Sequence, residues 1–529
     1  MGVLMGSGFA GALAEDSKSK PGATVETTAG KIRGLSVAGV QVFKGVPYAG
    51  STAPPNRFMP PAKVKPWTGV RETIALGLRC PQRPSDFHGQ VPMEWDVMAL
   101  DEPMGEECLF LNIWTPSVGR NHKRPVMVWL HGGGYTSGSA GFRCYDGMAL
   151  TTKHDTILVT INHRLTIFGF LHLADFGDEK YAASSNIGMR DIIASLEWIR
   201  DNIAAFGGDP GNVTVWGQSG GGGKVSVLMA MPPAKGLFHR AIVQSGANVK
   251  GLAPAVATKS AERYLAKLGV KPGQLDGLQN FSVDQLLAAI PGNGAIFSPD
   301  SLALAPVVDG RTLPGDPFDP VAPAVSADVP MLTGTTETEV AFFPGQQLDP
   351  ITDDDLHRRI KQVVRRASDA QVDELIAAYR KGRPGSTNTD LFLIISSDAT
   401  FRAGVVLQAE RKAEQAKAPV YQYYFTWRSP VHEGKMRSFH TIEIPFTFDD
   451  VDLAKSMTGE GADRYTLASK VSGAWVAFAR TGDPNHPGLP SWPAFDTTKR
   501  ATLIFDNECK TVNDPHGEEQ RLLHSLQNA

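Results

Sequence analysis

The residues NVTVWGQSGG, at positions 212–221, join a short apolar run to a serine that lies between glycines. NVTVW has the length and β-branched content of a buried strand, and the weakly helical segment VSVLMAM begins at Val225. Strand, tight turn and helix are the context of a GxSxG nucleophile elbow, in which the turn exposes the serine hydroxyl. Glycines two residues before and after Ser219 allow the strained backbone and the close chain approach that this turn needs. The segment therefore predicts a nucleophilic Ser219, with a glycine-rich loop as the alternative.

Apolar runs of strand length also occur elsewhere in the chain, each bounded by turn residues. They are VMVWL at 126–130, TILVTI at 156–161, AIVQSG at 241–246 and PVYQYYFTW at 419–427. Apolar residues also recur at helical spacing in three segments. These residues are Ile192, Leu196, Ile199 and Ile203, which precede the stop signal GGDP at 207–210, then Leu356, Ile360, Val363 and Ala367, then Leu467, Val471, Trp475 and Phe478. Alternating strands and helices predict an α/β fold with buried parallel strands.

The loop His131-Gly132-Gly133-Gly134 follows the strand VMVWL directly. Three consecutive glycines allow backbone N–H groups to point into a site rather than into a sheet ladder. A tetrahedral oxyanion needs such donors, and each preorganised donor stabilises the transition state by roughly 3 kcal/mol. We therefore interpret the loop as an oxyanion-binding loop; an ordinary glycine-rich turn is the alternative.

Nucleotide binding is a second interpretation of the glycine-rich segments. GQSGGGGK resembles a P-loop, but the pattern GxxxxGK[ST] needs glycine at Gln218 and Ser or Thr at Val225. Gly132, Gly134 and Gly138 also miss the GxGxxG spacing, because the third glycine comes one residue late. The spacing therefore disfavours a nucleotide site.

The composition of the 529 residues is that of a globular protein, with 42% hydrophobic and 20% charged residues. Lys and Arg number 52 against 55 Asp and Glu, so no basic excess favours nucleic acid as a partner. No apolar run reaches the roughly 18 residues of a membrane span. The four cysteines show no CxxC spacing for a metal site, and their pairing is open. The sequence therefore gives no indication of a metal or a cofactor.

The N-terminus MGVLMGSGFAGALA is apolar and uncharged, and it ends before Glu15 and Asp16. Such a segment is typical of the end of a secretory signal, although no Lys or Arg precedes it. We interpret residues 1–21 as a signal remnant or a flexible tail, and residues 22–529 as one catalytic domain. A signal remnant predicts a periplasmic or secreted protein; a flexible tail is equally consistent with the cytoplasm.

Several further motifs accompany the serine and the glycine loop, and together they cover nearly the whole chain. They are TAGKIRG at 28–34, FKGVPYA at 43–49, ECLFLNIW at 107–114, NHRL at 162–165, FGGDPGNVTVWGQSGG at 206–221 and VNDP at 512–515. With these motifs the sequence resembles the type-B carboxylesterases, which include cholinesterases and bacterial para-nitrobenzyl esterases. The resemblance implies an α/β-hydrolase fold, with a central, mostly parallel sheet flanked by helices and long insertions.

The resemblance also implies a catalytic triad in the chain order serine, acid, histidine. The family's acidic segment is matched by GTTETEV at 334–340, which places the acid at Glu339, with Glu337 as the alternative. The family's histidine segment is matched by HTIEIPF at 440–446, which places the base at His440. His432 lacks the EIPF context, so we interpret it as a surface histidine.

The same resemblance assigns supporting roles and reveals two departures in the serine motif. Gln218 replaces the family's usual glutamate, and Gly220 replaces its usual alanine. The oxyanion donors implied are the N–H groups of Gly133, Gly134 and Gly220. Ser245 and Glu443 are expected near the triad, with ordinary strand-end packing as the alternative.

Among the cysteines, Cys80 and Cys108 match a family disulfide, which would indicate an oxidising compartment. Cys144 and Cys509 have no family counterpart and are expected to be free thiols.

The function implied is hydrolysis of a small carboxylic ester through an acyl-enzyme, without a metal or cofactor. A lipase or polyester hydrolase would use the same residues, and a non-catalytic cholinesterase-like binding protein would share the scaffold. The segments 85–100 and 281–304 are expected to line the substrate gorge. The oligomeric state, monomer or dimer, stays open.

Overall fold

The chain is described by a computed structural model at residues 19–83, 102–290 and 304–528. The apolar N-terminal segment 1–14 and the expected gorge segment 85–100 lie outside these residues, as do positions 291–303 of the second gorge segment.

Thirteen strands within the described residues form one sheet. They are β1 (Ser19–Thr27), β2 (Gly30–Val37), β3 (Val40–Pro47), β4 (Val70–Glu72), β5 (Phe110–Thr115), β6 (Arg124–Leu130), β7 (Ile157–Ile161), β8 (Gly208–Gln218), β9 (Arg240–Gln244), β10 (Met331–Thr336), β11 (Val420–Phe425), β12 (Ala501–Phe505) and β13 (Lys510–Asn513). The order across the sheet is β1-β2-β3-β5-β7-β6-β8-β9-β10-β11-β12-β13, and β4 pairs with β2. The seven neighbouring strands β7-β6-β8-β9-β10-β11-β12 are parallel to one another. Strands β1, β2, β3, β5 and β13 pair in the antiparallel sense with their neighbours along this order. The predicted α/β-hydrolase fold with a mostly parallel central sheet is confirmed.

Helices connect the strands and cover both faces of the sheet. They are α1 (Met148–His154), α2 (Thr166–Phe170), α3 (Ile187–Asn202), α4 (Gly220–Ala230), α5 (Pro254–Leu268), α6 (Val283–Ala288), α7 (Asp353–Val363), α8 (Asp369–Gly382), α9 (Asn388–Ser397), α10 (Ala403–Glu414), α11 (Ile444–Thr447), α12 (Lys455–Thr458), α13 (Asp463–Thr481) and α14 (Gly517–Asn528). None of the helices in the described ranges is long and apolar enough to cross a lipid bilayer. Nor do His, Cys, Asp and Glu side chains of these ranges form a group of three or more that could hold a metal ion.

The core lies on both faces of the sheet, and the alternation of side chains along β6 explains why. Val126 and Val128 belong to one hydrophobic core, whereas Met127 and Trp129 belong to the other. Successive side chains of a strand point to opposite faces, so a strand that is buried on both faces reads as an unbroken apolar run. The run VMVWL has this pattern because helices cover both sides of it.

Two of the predicted amphipathic helices cover opposite faces. Ile199 of α3 packs in the first core, and Trp475 of α13 packs in the second. Helix α3 ends at Asn202, and the last turn of the predicted segment is a 3₁₀ helix that stops at Gly207, whose φ is +87°. Helix α7 is shorter than its apolar spacing indicated. It ends at Val363, and the buried Ala367 lies beyond its end.

Strand β8 begins four residues before the predicted run NVTVW. Its pairing with β6 shifts register between Gly208 and Val213, where Pro210 lies. Proline has no backbone N–H for the ladder, so the first part of the strand is irregular and the apolar run marks only the regular part.

The parallel strands end together at one edge of the sheet. Gly217 of β8 pairs with Leu130 of β6, and Gln244 of β9 pairs with both Gln218 and Gly334. The residues that follow these strand ends are His131, Ser219, Ser245 and Glu337. In α/β sheets the carboxyl edge of the strands is the usual place for a site, and the motif residues converge there.

One expectation about the cysteines is wrong. Cys80 and Cys108 are free buried thiols, not a disulfide. A hydrogen bond with Cys80, together with burial, raises the pKa of the Cys108 thiol well above its ordinary value, and Cys80 Sγ also accepts a hydrogen bond from Leu165 N at 3.1 Å. Cys80 Sγ thus has a backbone partner of its own, and the two free thiols lend no support to an oxidising compartment. Cys144 and Cys509 are free as well, the first buried and the second half-buried.

We expect Trp216→Ala to lower the free energy of unfolding by about 3–5 kcal/mol, because a buried indole is lost and a cavity remains. The Trp216 ring lies 4.6 Å from the Trp129 ring and 4.8 Å from the Phe448 ring, between centroids, with no solvent exposure. Denaturant unfolding measures the change. Val321→Ala is the control, since that side chain is 65% exposed, and a loss as small as the control's would contradict this account of the core.

Candidate active site

Ser219 lies at a sharp turn between β8 and α4. Its backbone angles are φ +58° and ψ −124°, a conformation that costs a non-glycine residue about 1–3 kcal/mol. The turn is held by two backbone hydrogen bonds, from Ser219 N to Gln244 O at 2.8 Å and from Gly223 N to Ser219 O at 2.9 Å. The surrounding structure therefore imposes the strain that an elbow requires.

The glycines of the motif are needed because backbone meets backbone on both sides of the serine. A Cβ on Gly217 would lie 2.6 Å from the Leu130 carbonyl oxygen, and one on Gly221 only 1.9 Å from the same oxygen. Real Cβ atoms do not approach other atoms so closely. A side chain at either position would push α4 away from the end of β6.

The His131–Gly134 loop lies directly beside the serine. Gly133 and Gly134 have φ values of +86° and +60°, which favour glycine. A Cβ on Gly220 would lie 2.4 Å from Gly134 N. The alanine that is usual in the family would therefore have no room for its Cβ beside this loop, whereas Gly220 fits. The N–H groups expected as oxyanion donors, those of Gly133, Gly134 and Gly220, thus belong to two backbone segments in contact.

Three carbonyl groups of the same loop accept hydrogen bonds. His131 O accepts from Lys224 Nζ at 2.9 Å, Gly132 O from His131 Nδ1 at 2.8 Å and Gly133 O from Ser137 N at 3.0 Å. In a trans peptide the C=O and N–H groups point in opposite directions. The N–H groups of Gly132, Gly133 and Gly134 therefore face away from these donors.

His440 and Glu339 form a buried pair, with exposures of 2% and 0%. Glu339 Oε2 accepts a short hydrogen bond from His440 Nδ1, and Glu339 Oε1 accepts from Thr336 N at 2.9 Å. A carboxylate only accepts, so His440 carries its proton on Nδ1 and leaves Nε2 as a base. The pair has the arrangement that orients a catalytic histidine.

The competing candidates lie elsewhere. Glu337 forms an ion pair with the half-exposed Arg428, with Oε2 and Nη2 3.2 Å apart. His432 is exposed in a turn, and its φ is +51°. Of the two acids and two histidines weighed from the sequence, the structure brings Glu339 and His440 together.

The hydroxyl of Ser219 is not hydrogen-bonded to His440 within the described part of the chain. The imidazole instead lies beside the Gln218 amide, whose Nε2 is 3.2 Å from His440 Nε2 and 3.3 Å from His440 Nδ1. The rings of Phe343 and Phe401 cover the imidazole at centroid distances of 5.2 and 4.9 Å. In the sequence, Gln218 was recognisable only as a departure from the family motif, and its contact with His440 was not predicted.

Glu443 and Ser245 lie near the His440–Glu339 pair. Glu443 is fully buried, and Gln244 Nε2 donates to its Oε1 at 3.4 Å. Burial and the nearby Glu339 raise the pKa of Glu443 to about 8, while the Gln244 amide and the Ser245 hydroxyl act in the opposite direction. Ser245 is buried with φ +49°, and its N–H donates to Gly334 O at 2.8 Å.

Lys224 is a polar residue of this site that the sequence analysis did not single out. Its side chain is completely buried in α4, five residues after the serine. The signal for it was present, since Lys224 is the only charged residue of the helix sequence GGGGKVSVLMA.

Comparisons with known proteins identify the family of the chain. The sequence model described as the carboxylesterase family matches residues 21–522. The para-nitrobenzyl esterase of Bacillus subtilis (strain 168) is 35% identical over 510 residues, which cover 94% of this chain and 98% of the relative.

Two solved structures extend the comparison. A carboxylesterase of Geobacillus stearothermophilus superposes with a TM-score of 0.79 at 35% identity and covers 94% of this chain and 99% of its own. An esterase of Clostridium hathewayi, described as able to hydrolyse aliphatic aromatic polyesters, superposes with a TM-score of 0.80 at 33% identity and covers 95% of this chain and 98% of its own. With a family match over nearly its whole length and with the elbow and glycine loop in place, the chain belongs to the carboxylesterase family.

Proposed function

We propose that this carboxylesterase cleaves small carboxylic esters by acyl transfer to Ser219, with His440 as the base and Glu339 as the residue that orients it. The observation that carries the proposal is the buried His440–Glu339 pair, which fixes the proton on Nδ1 and leaves Nε2 as the basic atom.

In the first half of the reaction, Ser219 Oγ attacks the ester carbonyl as its proton passes to His440 Nε2. The carbonyl oxygen becomes an oxyanion, which the N–H groups of Gly133, Gly134 and Gly220 stabilise. His440 then gives its proton to the leaving alcohol, and an acyl-enzyme remains. In the second half, water attacks the acyl group, His440 takes a proton from the water, and Ser219 is regenerated with release of the acid.

The surroundings of His440 support this role. Phe343 and Phe401 exclude water from the imidazole, which strengthens its electrostatic interaction with Glu339. Catalytic hydrogen bonds in ligand-free sites are often longer than in substrate complexes, so we expect the Ser219–His440 hydrogen bond to form when substrate binds. Gln218 lies where it can hold the imidazole until then.

Hydrolysis of polyesters is a second candidate function. The similarity to the Clostridium hathewayi esterase favours it, and the same triad chemistry would serve. A panel of esters with varied acyl and alcohol lengths, extended by an aliphatic–aromatic polyester, separates the two candidates.

An organophosphate should label Ser219 covalently, because an activated serine attacks phosphorus as it attacks a carbonyl. Peptide mapping by mass spectrometry locates the adduct. Ser219→Ala should lower kcat on a p-nitrophenyl ester by about 10⁴-fold or more and leave the circular dichroism spectrum unchanged. A label on another residue, or turnover retained in the variant, would refute the proposed nucleophile.

Glu339→Gln should lower kcat by about 10³- to 10⁴-fold, because an amide no longer holds the imidazole in the correct tautomer. The matched control is Glu337→Gln, which removes the same charge two residues away from a carboxyl that pairs with Arg428. Steady-state kinetics of both variants decide the assignment. Equal losses in the two, or a larger loss in the control, would show that Glu339 is not the acid.

Glu443→Gln should change how stability depends on pH. The pKa of Glu443 in the folded protein is about 8, above the ordinary value of about 4.3, so the folded state holds this proton more tightly than the unfolded state. Wild-type stability therefore falls as pH rises from about 4.3 through about 8, and the uncharged variant lacks that part of the decline.

Denaturant unfolding at pH 5.5 and 8.5 measures this difference, which we expect to exceed about 1 kcal/mol. Glu433→Gln is the control, because that side chain is 86% exposed, and it should keep the wild-type dependence. The prediction fails if Glu443→Gln and the control show the same change between the two pH values.

A further inference from the structure

Lys224 is a buried cation without an acidic partner. No carboxylate of the described residues lies within 4.0 Å of its Nζ, and the hydrogen-bond acceptor is His131 O at 2.9 Å. Burial lowers the pKa of Lys224 to about 7. A buried ammonium without a carboxylate partner is costly, so the lysine at this position calls for an explanation beyond the stability of the fold.

The groups that face Lys224 are basic or neutral. The rings of His131 and His163 stack at 5.0 Å, and their Nδ1 atoms lie 2.8 and 2.9 Å from the carbonyl oxygens of Gly132 and Arg164. Burial and the nearby Lys224 lower the pKa of both histidines well below the ordinary value, so both rings are neutral. The Tyr135 ring lies 5.8 Å from Nζ, and burial raises the pKa of this phenol. Neither the two histidines nor the tyrosine therefore carries a charge beside Lys224.

The ammonium lies on the carbonyl side of the His131–Gly132 peptide of the oxyanion loop. Its acceptor, His131 O, belongs to the peptide that carries the Gly132 N–H group, and His131 Nδ1 in turn donates to Gly132 O, in the peptide that carries the Gly133 N–H group. A hydrogen bond to the carbonyl oxygen of a peptide polarises that peptide, which makes its N–H group a stronger hydrogen-bond donor. Lys224 also lies in the helix that supplies the Gly220 N–H group.

We propose that the Lys224 ammonium is a positioning residue that fixes the His131–Gly134 loop against α4 and places positive charge behind the oxyanion-binding amides. This inference rests on the proposed function of the same site. Positive charge in a low-dielectric environment favours the oxyanion of the transition state over the neutral ester. Its loss should therefore lower kcat more than it raises KM.

The principal test is Lys224→Met, which keeps the length of the side chain and removes the charge. We expect kcat on a p-nitrophenyl ester to fall about 10-fold or more, with KM changed less than threefold. Affinity for a trifluoromethyl ketone, whose adduct with the serine places an oxyanion on the same amides, should fall by a similar factor. Unchanged kcat and unchanged inhibitor affinity would overturn the proposal.

Lys412→Met is the matched control. Lys412 is also fully buried, but its Nζ donates to Ser326 O and Ala327 O at 3.0 and 2.8 Å rather than to the loop. This variant should lose stability and keep wild-type kcat. A similar loss of kcat in both variants would indicate a general effect of removing a buried lysine and would contradict a specific role for Lys224.

Lys224→Arg provides a second readout that does not depend on the methionine variant folding. Arginine stays protonated at all accessible pH values, whereas the wild-type lysine loses its proton near neutral pH. We expect wild-type kcat to decline between about pH 6 and 8 as Lys224 deprotonates, and the arginine variant to retain activity without this decline. Identical pH profiles would contradict the inference.

The outcomes also separate this inference from the proposed function. Wild-type turnover in Ser219→Ala refutes the nucleophile itself. Wild-type kcat in Lys224→Met, with Ser219→Ala inactive, refutes only the role of Lys224.

Discussion

The site depends on one contact between main-chain atoms, where the end of β6 meets the first turn of α4. The Leu130 carbonyl oxygen lies where Cβ atoms would stand on Gly217 and Gly221. Because no side chain separates the two segments, the helix begins close enough for Gly220 to touch Gly134. The serine, the glycine loop and the helix N-terminus are therefore placed together by a single close approach.

The remaining groups reach the same place from distant parts of the chain, because parallel strands end at a common edge. Strand β10 leads to Glu339, and the chain after β11 returns His440 to it. The carboxylate-imidazole pair is buried under aromatic rings, while the strained turn keeps the serine partly accessible. The buried acid–base pair and the partly accessible serine are thus supplied by different elements at one edge of the sheet.

Much of this could be predicted from the sequence. The apolar runs of 126–130 and 212–216, with glycines at fixed offsets, indicate strand and turn, because those features are local. The contact of Gln218 with His440 and the position of Lys224 behind the loop could not be predicted, since both depend on packing between segments far apart in the chain. The expected Cys80–Cys108 disulfide was wrong for a related reason: the partners of a cysteine depend on contacts between distant segments, and Cys80 Sγ accepts a hydrogen bond from Leu165 N.

The glycine contacts of the elbow also have a consequence for enzyme engineering. A clash between a side chain and its neighbours can be relieved by trimming those neighbours, but a clash with a carbonyl oxygen of the backbone has no such remedy. Libraries that vary Gly217 or Gly221 should therefore contain few compensated variants.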